Sequence, residues 1–217
     1  PTLIAPLFNK MEILKDDVLK DSIESLLRKC GFKSSGVFTI DASKRDNRLN
    51  AYFGGFGSAK RVVLFDTLIK KLTKDEILAV LGHELGHFKN KDILRILVFS
   101  AILFFVIFGL LGNLPETIFN AVGIEKSGGS IIVMIAILSN LLSFIITPLQ
   151  SFLSRKREFA ADKFGAKIQN KNDMINALKK LGSENKAFPK SHKLYSNFYH
   201  SHPTLYERIC ELNDENI

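Results

Sequence analysis

The chain has 217 residues, of which 46% are apolar and 24% charged, and 30 Lys and Arg against 22 Asp and Glu give a net charge of +8. Charge and apolar residues are segregated: residues 1–92 and 155–217 each carry a net +4, whereas residues 93–154 hold only Arg95, Glu116, Glu125 and Lys126. This excludes a disordered chain and a simple soluble enzyme, and with only Cys30 and Cys210 it also excludes a disulfide scaffold.

Leu14 to Cys30 predicts an amphipathic helix, with Leu14, Val18, Leu19, Ile23, Leu26 and Leu27 at helical spacing and Gly31 as the stop. Gly36 to Ile40, Leu49 to Phe53 and Arg61 to Phe65 predict strands. The last two form a hairpin around the Gly54-Gly-Phe-Gly57 turn. Thr73-Lys-Asp-Glu76 is a capping box that opens the next helix.

From Ile96 to Gly112 no residue is charged. Those residues span about 26 Å as a helix, and extension back to residue 93 with Arg95 snorkelling brings the span to the full hydrocarbon thickness. Ser130 to Leu153 is a second uncharged stretch, containing Pro148, beyond a short loop of residues 113–129. Two such runs in tandem predict a transmembrane helical hairpin over residues 93–154, with spans of about 93–112 and 130–153. One uncharged run could be a buried helix of a large soluble core; two around a short loop in a chain this small favour the hairpin. A hairpin returns the chain to the side it left, so residues 1–92 and 155–217 are expected to form one body. Lys89, Lys91, Arg95 and Arg155-Lys-Arg157 flank the spans and put that body on the cytoplasmic face. The same basic residues suggest contact with anionic lipid, and no nucleic-acid motif accompanies them.

Beyond the hairpin the chain is expected to be helical again to about Lys167. Asn172 is expected to cap a short helix ending near Leu181-Gly182. A last helix is expected from about Ser201-His-Pro203 to Leu212, with proline in its first turn.

Chemistry concentrates in His83-Glu-Leu-Gly-His87, an HExxH motif. Two histidines four apart on a helix present both imidazoles on one face, where they can grip one Zn²⁺, and the intervening glutamate reaches a water on that metal. A catalytic zinc needs a third protein ligand and an open position. Glu158 is the best candidate, because the hairpin brings it back to the face where His87 lies. The competing reading makes it a surface carboxylate paired with the nearby arginines. Asp162, one turn on, could orient a zinc-bound imidazole. His192 and His200 read as surface or core histidines, and His202, beside Pro203, could be either structural or functional.

The chain resembles the C-terminal half of the type I CAAX prenyl endopeptidases, a family of multi-span membrane zinc metalloproteases. The segments that carry the resemblance are Ile4-Ala-Pro-Leu-Phe8, Ser43-Lys-Arg45, Asn50-Ala-Tyr-Phe53, Arg61 to Leu68, Leu78 to His87, Ser154-Arg155, Glu158-Phe-Ala-Ala-Asp162, Tyr199-His-Ser-His-Pro203 and Glu207-Arg208. It implies a mainly α fold with a small β-sheet (α+β), in which an HExxH zincin-like body has a two-helix transmembrane hairpin inserted between its zinc ligands. It implies one Zn²⁺ per chain held by His83, His87 and Glu158, with Glu84 as general base and Asp162 behind a ligand. His202 and Arg208 would stabilise the tetrahedral intermediate, and Asn50, Ala51 and Tyr52 would lie along the substrate peptide.

The implied substrate is a peptide or protein, prenylated or not, cleaved at the cytoplasmic face of a bacterial inner membrane or of the endoplasmic reticulum. The family carries further spans upstream. Pro1 opens with neither an initiator methionine nor a signal peptide, so the chain is expected to be the catalytic part of a longer protein. Two alternatives share some of these features: a heat-shock-type membrane metalloprotease with the same HExxH and distal Glu-x-x-x-Asp, and a non-catalytic membrane scaffold.

Overall fold

A computed structural model describes residues 11–54 and 60–214. Ile4 to Phe8 and residues 55–57 of the glycine turn lie outside them. The described elements are β1 (Met11–Ile13), α1 (Asp17–Lys29), β2 (Val37–Ile40), β3 (Ala51–Gly54), β4 (Arg61–Phe65), α2 (Asp66–Lys71), α3 (Lys74–Lys89), α4 (Asp92–Gly112), α5 (Glu116–Ala121), α6 (Gly128–Ile168), α7 (Lys171–Glu184), α8 (Lys193–Tyr199) and α9 (Leu205–Asp214). The fold is mainly α with one small mixed sheet, as the sequence and the resemblance predict.

The sheet has strand order β1-β2-β4-β3. β3 and β4 pair antiparallel, as the predicted hairpin requires, with Ala51 opposite Leu64 and Tyr52 opposite Val63. β2 and β4 run parallel, and β1, which the sequence did not announce, pairs antiparallel with β2. Among the described residues β3 therefore lies at an edge. Phe65 donates its N–H to the carbonyl of Asn50, so residues 50 and 65 form a hydrogen-bonded pair. In an antiparallel ladder the next pair along points its main-chain groups away from the partner, which turns the N–H and C=O of Ala51 toward the open edge.

The helix bearing the HExxH motif, α3, starts where the capping box places it. Thr73 accepts from the Glu76 N–H at 3.3 Å, and the Glu76 carboxylate accepts from the Thr73 N–H at 2.7 Å. Its apolar residues Ile77, Leu78, Leu81 and Leu85 are buried in the main core with α1, β3 and β4. Helix α1 begins at Asp17 rather than Leu14, because Asp16 caps it by accepting from the Leu19 N–H at 2.9 Å.

Three expectations are corrected. The helix of the second apolar stretch does not break where that stretch ends at Leu153; α6 runs on without interruption for 41 residues, with Pro148 inside it, and ends at Ile168, close to the expected Lys167. Proline costs one backbone hydrogen bond, a loss that long membrane helices tolerate. Asn170, not Asn172, caps α7, accepting from the N–H groups of Asn172 and Asp173. The last helix begins at Leu205, so Pro203 is outside it. Thr204 and Glu207 form the reciprocal cap there, at 2.8 and 3.3 Å. The loop between α4 and α6 also contains a short helix, α5, whose Phe119 is buried against Leu111 and Met134.

Helices α4 and α6 are long and apolar enough to cross a membrane. Their apolar side chains face outward: Ile93 is 76% exposed, Leu97 61% and Phe105 81%. A continuous apolar surface of this kind has no place on a soluble monomer.

Candidate metal centre

Glycine lets α3 and α6 cross at backbone contact. A Cβ built on Gly82 would meet the Gly165 Cα at 3.0 Å, one on Gly86 would meet the Ala161 Cα at 2.9 Å, and one on Gly165 would meet the His83 backbone nitrogen at 2.9 Å. This approach sets the acidic turn of α6 against the histidine face of α3.

His83 Nε2 and His87 Nε2 lie 3.1 Å apart. Glu158 places Oε2 3.7 Å from His83 Nε2 and Oε1 3.4 Å from His87 Nε2. A tetrahedral zinc with bonds of about 2.0–2.2 Å spaces its ligand atoms about 3.3–3.6 Å apart; the nitrogen–oxygen separations, each to a different oxygen of Glu158, are close to that, and one ligand atom from each residue lies within 4.8 Å of the other two. This triangle of two imidazole nitrogens and one carboxylate oxygen is the donor set of a catalytic zinc. The residues fit the metal.

The other ring nitrogens are also held. His83 Nδ1 lies 2.7 Å from Asp162 Oδ1, and His87 Nδ1 lies 2.8 Å from Asp92 Oδ2. With its Nδ1 donating to a carboxylate, each imidazole in its neutral form keeps the Nε2 lone pair for a metal at the centre. Arg208 grips Asp162 through Nε at 2.7 Å and Nη2 at 2.5 Å, and its Nη2 comes within 3.9 Å of Glu158.

Burial opposes ionisation of Glu158, yet hydrogen bonds from His202 and His87, with the charges of His83 and Arg208, hold its carboxyl well below the usual range. Burial also opposes a charge on His87, but the carboxylates of Glu158 and Asp92 push that imidazole up to about 9. The Glu158 carboxylate thus calls for positive charge at the centre of the triangle. Burial raises the carboxyl of Glu84, and the Glu158 charge adds to the rise, against His83, His87 and Arg208.

A cleft of about 490 Å³ opens over the triangle. Asn50, Ala51, Glu84, His202 and Arg208 all line it, together with His83, His87 and Glu158. His202 Nδ1 lies 3.3 Å from Glu158 Oε2, and that contact raises its imidazole above the ordinary value. Tyr52 does not line the cleft. It packs with Ile40, Ala42 and Val63 on the opposite face of the sheet, and its main-chain groups face Val63 of β4 in the ladder rather than the open edge. The structure therefore brings together every sequence-predicted site residue except the Tyr52 side chain. His192 is exposed, and His200 packs edge-on against Tyr195.

Sequence reasoning missed two parts of the site. Asp92 supports His87 across a helix break. Arg155, buried on α6, donates to Ser196 at 2.7 Å and to both Glu207 oxygens at 2.8 and 3.1 Å. That clasp fastens α8 and α9 to α6, and with them His202 and Arg208.

The peptidase family M48 signature matches residues 14–216. CAAX prenyl protease 1 of Saccharomyces cerevisiae is 38% identical over 98% of the chain and 51% of its own length. The CAAX prenyl protease 1 homolog of Homo sapiens is 34% identical over 96% of the chain and 53% of its own length. The crystal structure of S. mikatae Ste24p superposes with a TM-score of 0.84 at 37% identity, covering 98% of the chain and 54% of that structure. The chain spans about half the length of the curated relatives it matches.

Proposed function

Because the chain belongs to peptidase family M48, we propose that it is the catalytic part of an integral-membrane zinc endopeptidase of the CAAX-processing type. The observation that carries this reading is the His83–His87–Glu158 triangle with Glu84 beside it, under a cleft bordered by the free edge of β3. Residues 1–92 and 155–217 form the body on the cytoplasmic face, of the endoplasmic reticulum by likeness to the eukaryotic relatives, and residues 93–154 form the hairpin that crosses the bilayer.

His83, His87 and Glu158 hold one Zn²⁺, which when bound acidifies water and polarises a carbonyl. A substrate peptide, prenylated or not, adds to β3 and hydrogen-bonds to the outward N–H and C=O of Ala51, with Asn50 and Tyr52 flanking it. Glu84 takes the proton from the attacking water and returns it to the leaving amine; a carboxyl raised by burial is suited to both transfers. His202, whose Nδ1 is engaged by Glu158, has Nε2 left to donate to the developing oxyanion. Arg208 has its Nε and Nη2 committed to Asp162, so it contributes through Nη1 and through its charge.

The test is Glu84→Gln in the full-length protein, assayed on a CAAX peptide with and without its prenyl group. Cleavage is expected to fall at least about 10³-fold while zinc stays bound, because the base is lost and the ligands are not. Unchanged cleavage by this variant would overturn the mechanism.

A further inference from the structure

Asp92 is the first residue of α4, and it is buried at 4% exposure. Its Oδ2 meets His87 Nδ1 at 2.8 Å, and its Oδ1 is buried with no hydrogen-bond partner among the described residues. An unpaired buried carboxylate is costly, so the single bond to His87 is what justifies its position. Had α3 continued through this point, a residue five places beyond His87 would lie about 140° around the axis and about 7.5 Å along it, out of reach of that ring. Instead α3 ends at Lys89, Asn90 caps it, and Lys91 adopts a left-handed backbone with φ 54°. A non-glycine residue rarely adopts that conformation, because its Cβ crowds the backbone. The turn it creates swings α4 out toward the bilayer and folds Asp92 back onto His87.

We propose that Asp92 is a positioning residue for the metal: it fixes the tautomer and plane of His87, and it makes the first membrane helix part of the ligand set's support. The proposal rests on the zinc peptidase reading. His83 is supported by Asp162 from α6 and His87 by Asp92 from α4, so each imidazole is braced by a different apolar helix. The competing explanation is that Asp92 only favours the N-terminus of α4 as an acidic first-turn residue.

The test uses the full-length protein in detergent, with Asp92→Ala and the near-isosteric Asp92→Asn. Zinc affinity is read by competition with a chromophoric chelator, and ligand geometry by the visible spectrum of the cobalt(II) form. Zinc is expected to bind about 10- to 100-fold more weakly in Asp92→Ala, with an altered cobalt spectrum. Asp92→Asn, which keeps the acceptor but not the charge, is expected to fall between that variant and the wild type. A role confined to the helix terminus would leave affinity and spectrum unchanged in both, and that result overturns the proposal. If Asp92→Ala does not fold, a wild-type affinity in Asp92→Asn is sufficient to overturn it. Wild-type protein that binds no zinc would sink the peptidase reading itself, a separate result from zinc bound equally by all three proteins.

Discussion

Gly165 lies so close to His83 that a single methyl group on it would sit 2.9 Å from the His83 backbone nitrogen and 3.0 Å from the Ala79 carbonyl oxygen. Neither atom can yield without moving the helix that carries both histidines. In an exposed helix, glycine to alanine is stabilising by about 1 kcal/mol. Here the sign is expected to reverse. Gly165→Ala should destabilise by about 1–3 kcal/mol through overpacking and separate Glu158 from the two imidazoles. Gly86→Ala, 2.9 Å from Ala161, should do the same. Thermal unfolding and zinc stoichiometry check both, and an alanine variant as stable and as zinc-loaded as the parent would contradict the crossing geometry.

Asp162 holds His83 Nδ1 and accepts two donors from Arg208. Asp162→Ala should weaken zinc binding about 10- to 100-fold and free the Arg208 guanidinium. Asp162→Asn should retain the hydrogen bond from His83 and lose less. Chelator competition on the two variants measures the difference, and equal losses would mean that charge rather than orientation matters.

Removal of the metal by a strong chelator should lower the unfolding temperature, since a ligand bound only by the folded state stabilises it by about 2.7 kcal/mol at a hundredfold excess over Kd. The drop should vanish in a variant lacking His83 and His87, and calorimetry with and without chelator decides it.

Burial would raise the carboxyl of Glu207, but hydrogen bonds from Arg155, Thr204 and Ser196 hold it at about 2, against about 4.3 for an unfolded glutamate. A depressed folded pKa gives stability that is complete above about 4.3 and is lost as the pH falls toward about 2. The clasp of α8 and α9 on α6 should therefore open over that interval. Glu207→Gln should be less stable than the parent at pH 7 and show a shallower loss below pH 4.3. Unfolding temperatures from pH 2 to 7 test this, and parallel curves for the two proteins would count against it.

Ala51→Pro deletes an outward N–H at an edge position, where proline is tolerated. Peptide hydrolysis by this variant should show a KM raised about tenfold, with zinc content unchanged. A normal KM would remove β3 as the substrate strand.

Much of this was legible in the sequence because it follows local rules. The capping box at Thr73 and Glu76 forms both of its bonds, and the two apolar runs became helices long enough to cross a membrane. The spacing of His83, Glu84 and His87 placed both imidazoles on one face. Glu158 could be proposed only because the apolar block implied a return. What stayed hidden depends on contacts far apart in sequence or on a backbone exception. Arg155 meets Glu207 across 52 residues, which no spacing rule anticipates. Asp92 reaches His87 only through the left-handed Lys91, a conformation that lysine does not advertise.

Helix α6 is a single rod of 41 residues, about 61 Å long. One end is steeped in apolar surroundings, and the other carries Glu158 and Asp162. Glu158 lies about 26 Å along the axis from the middle of the apolar segment, so a tilt of about 5° there carries its carboxylate about 2 Å sideways, the length of a whole bond from zinc to oxygen. If α6 crosses a bilayer as proposed, a thickness mismatch that tilts it would therefore alter the spacing of the candidate metal centre. Pro148, where the rod is missing one backbone hydrogen bond, is the point at which bending takes up part of such a tilt.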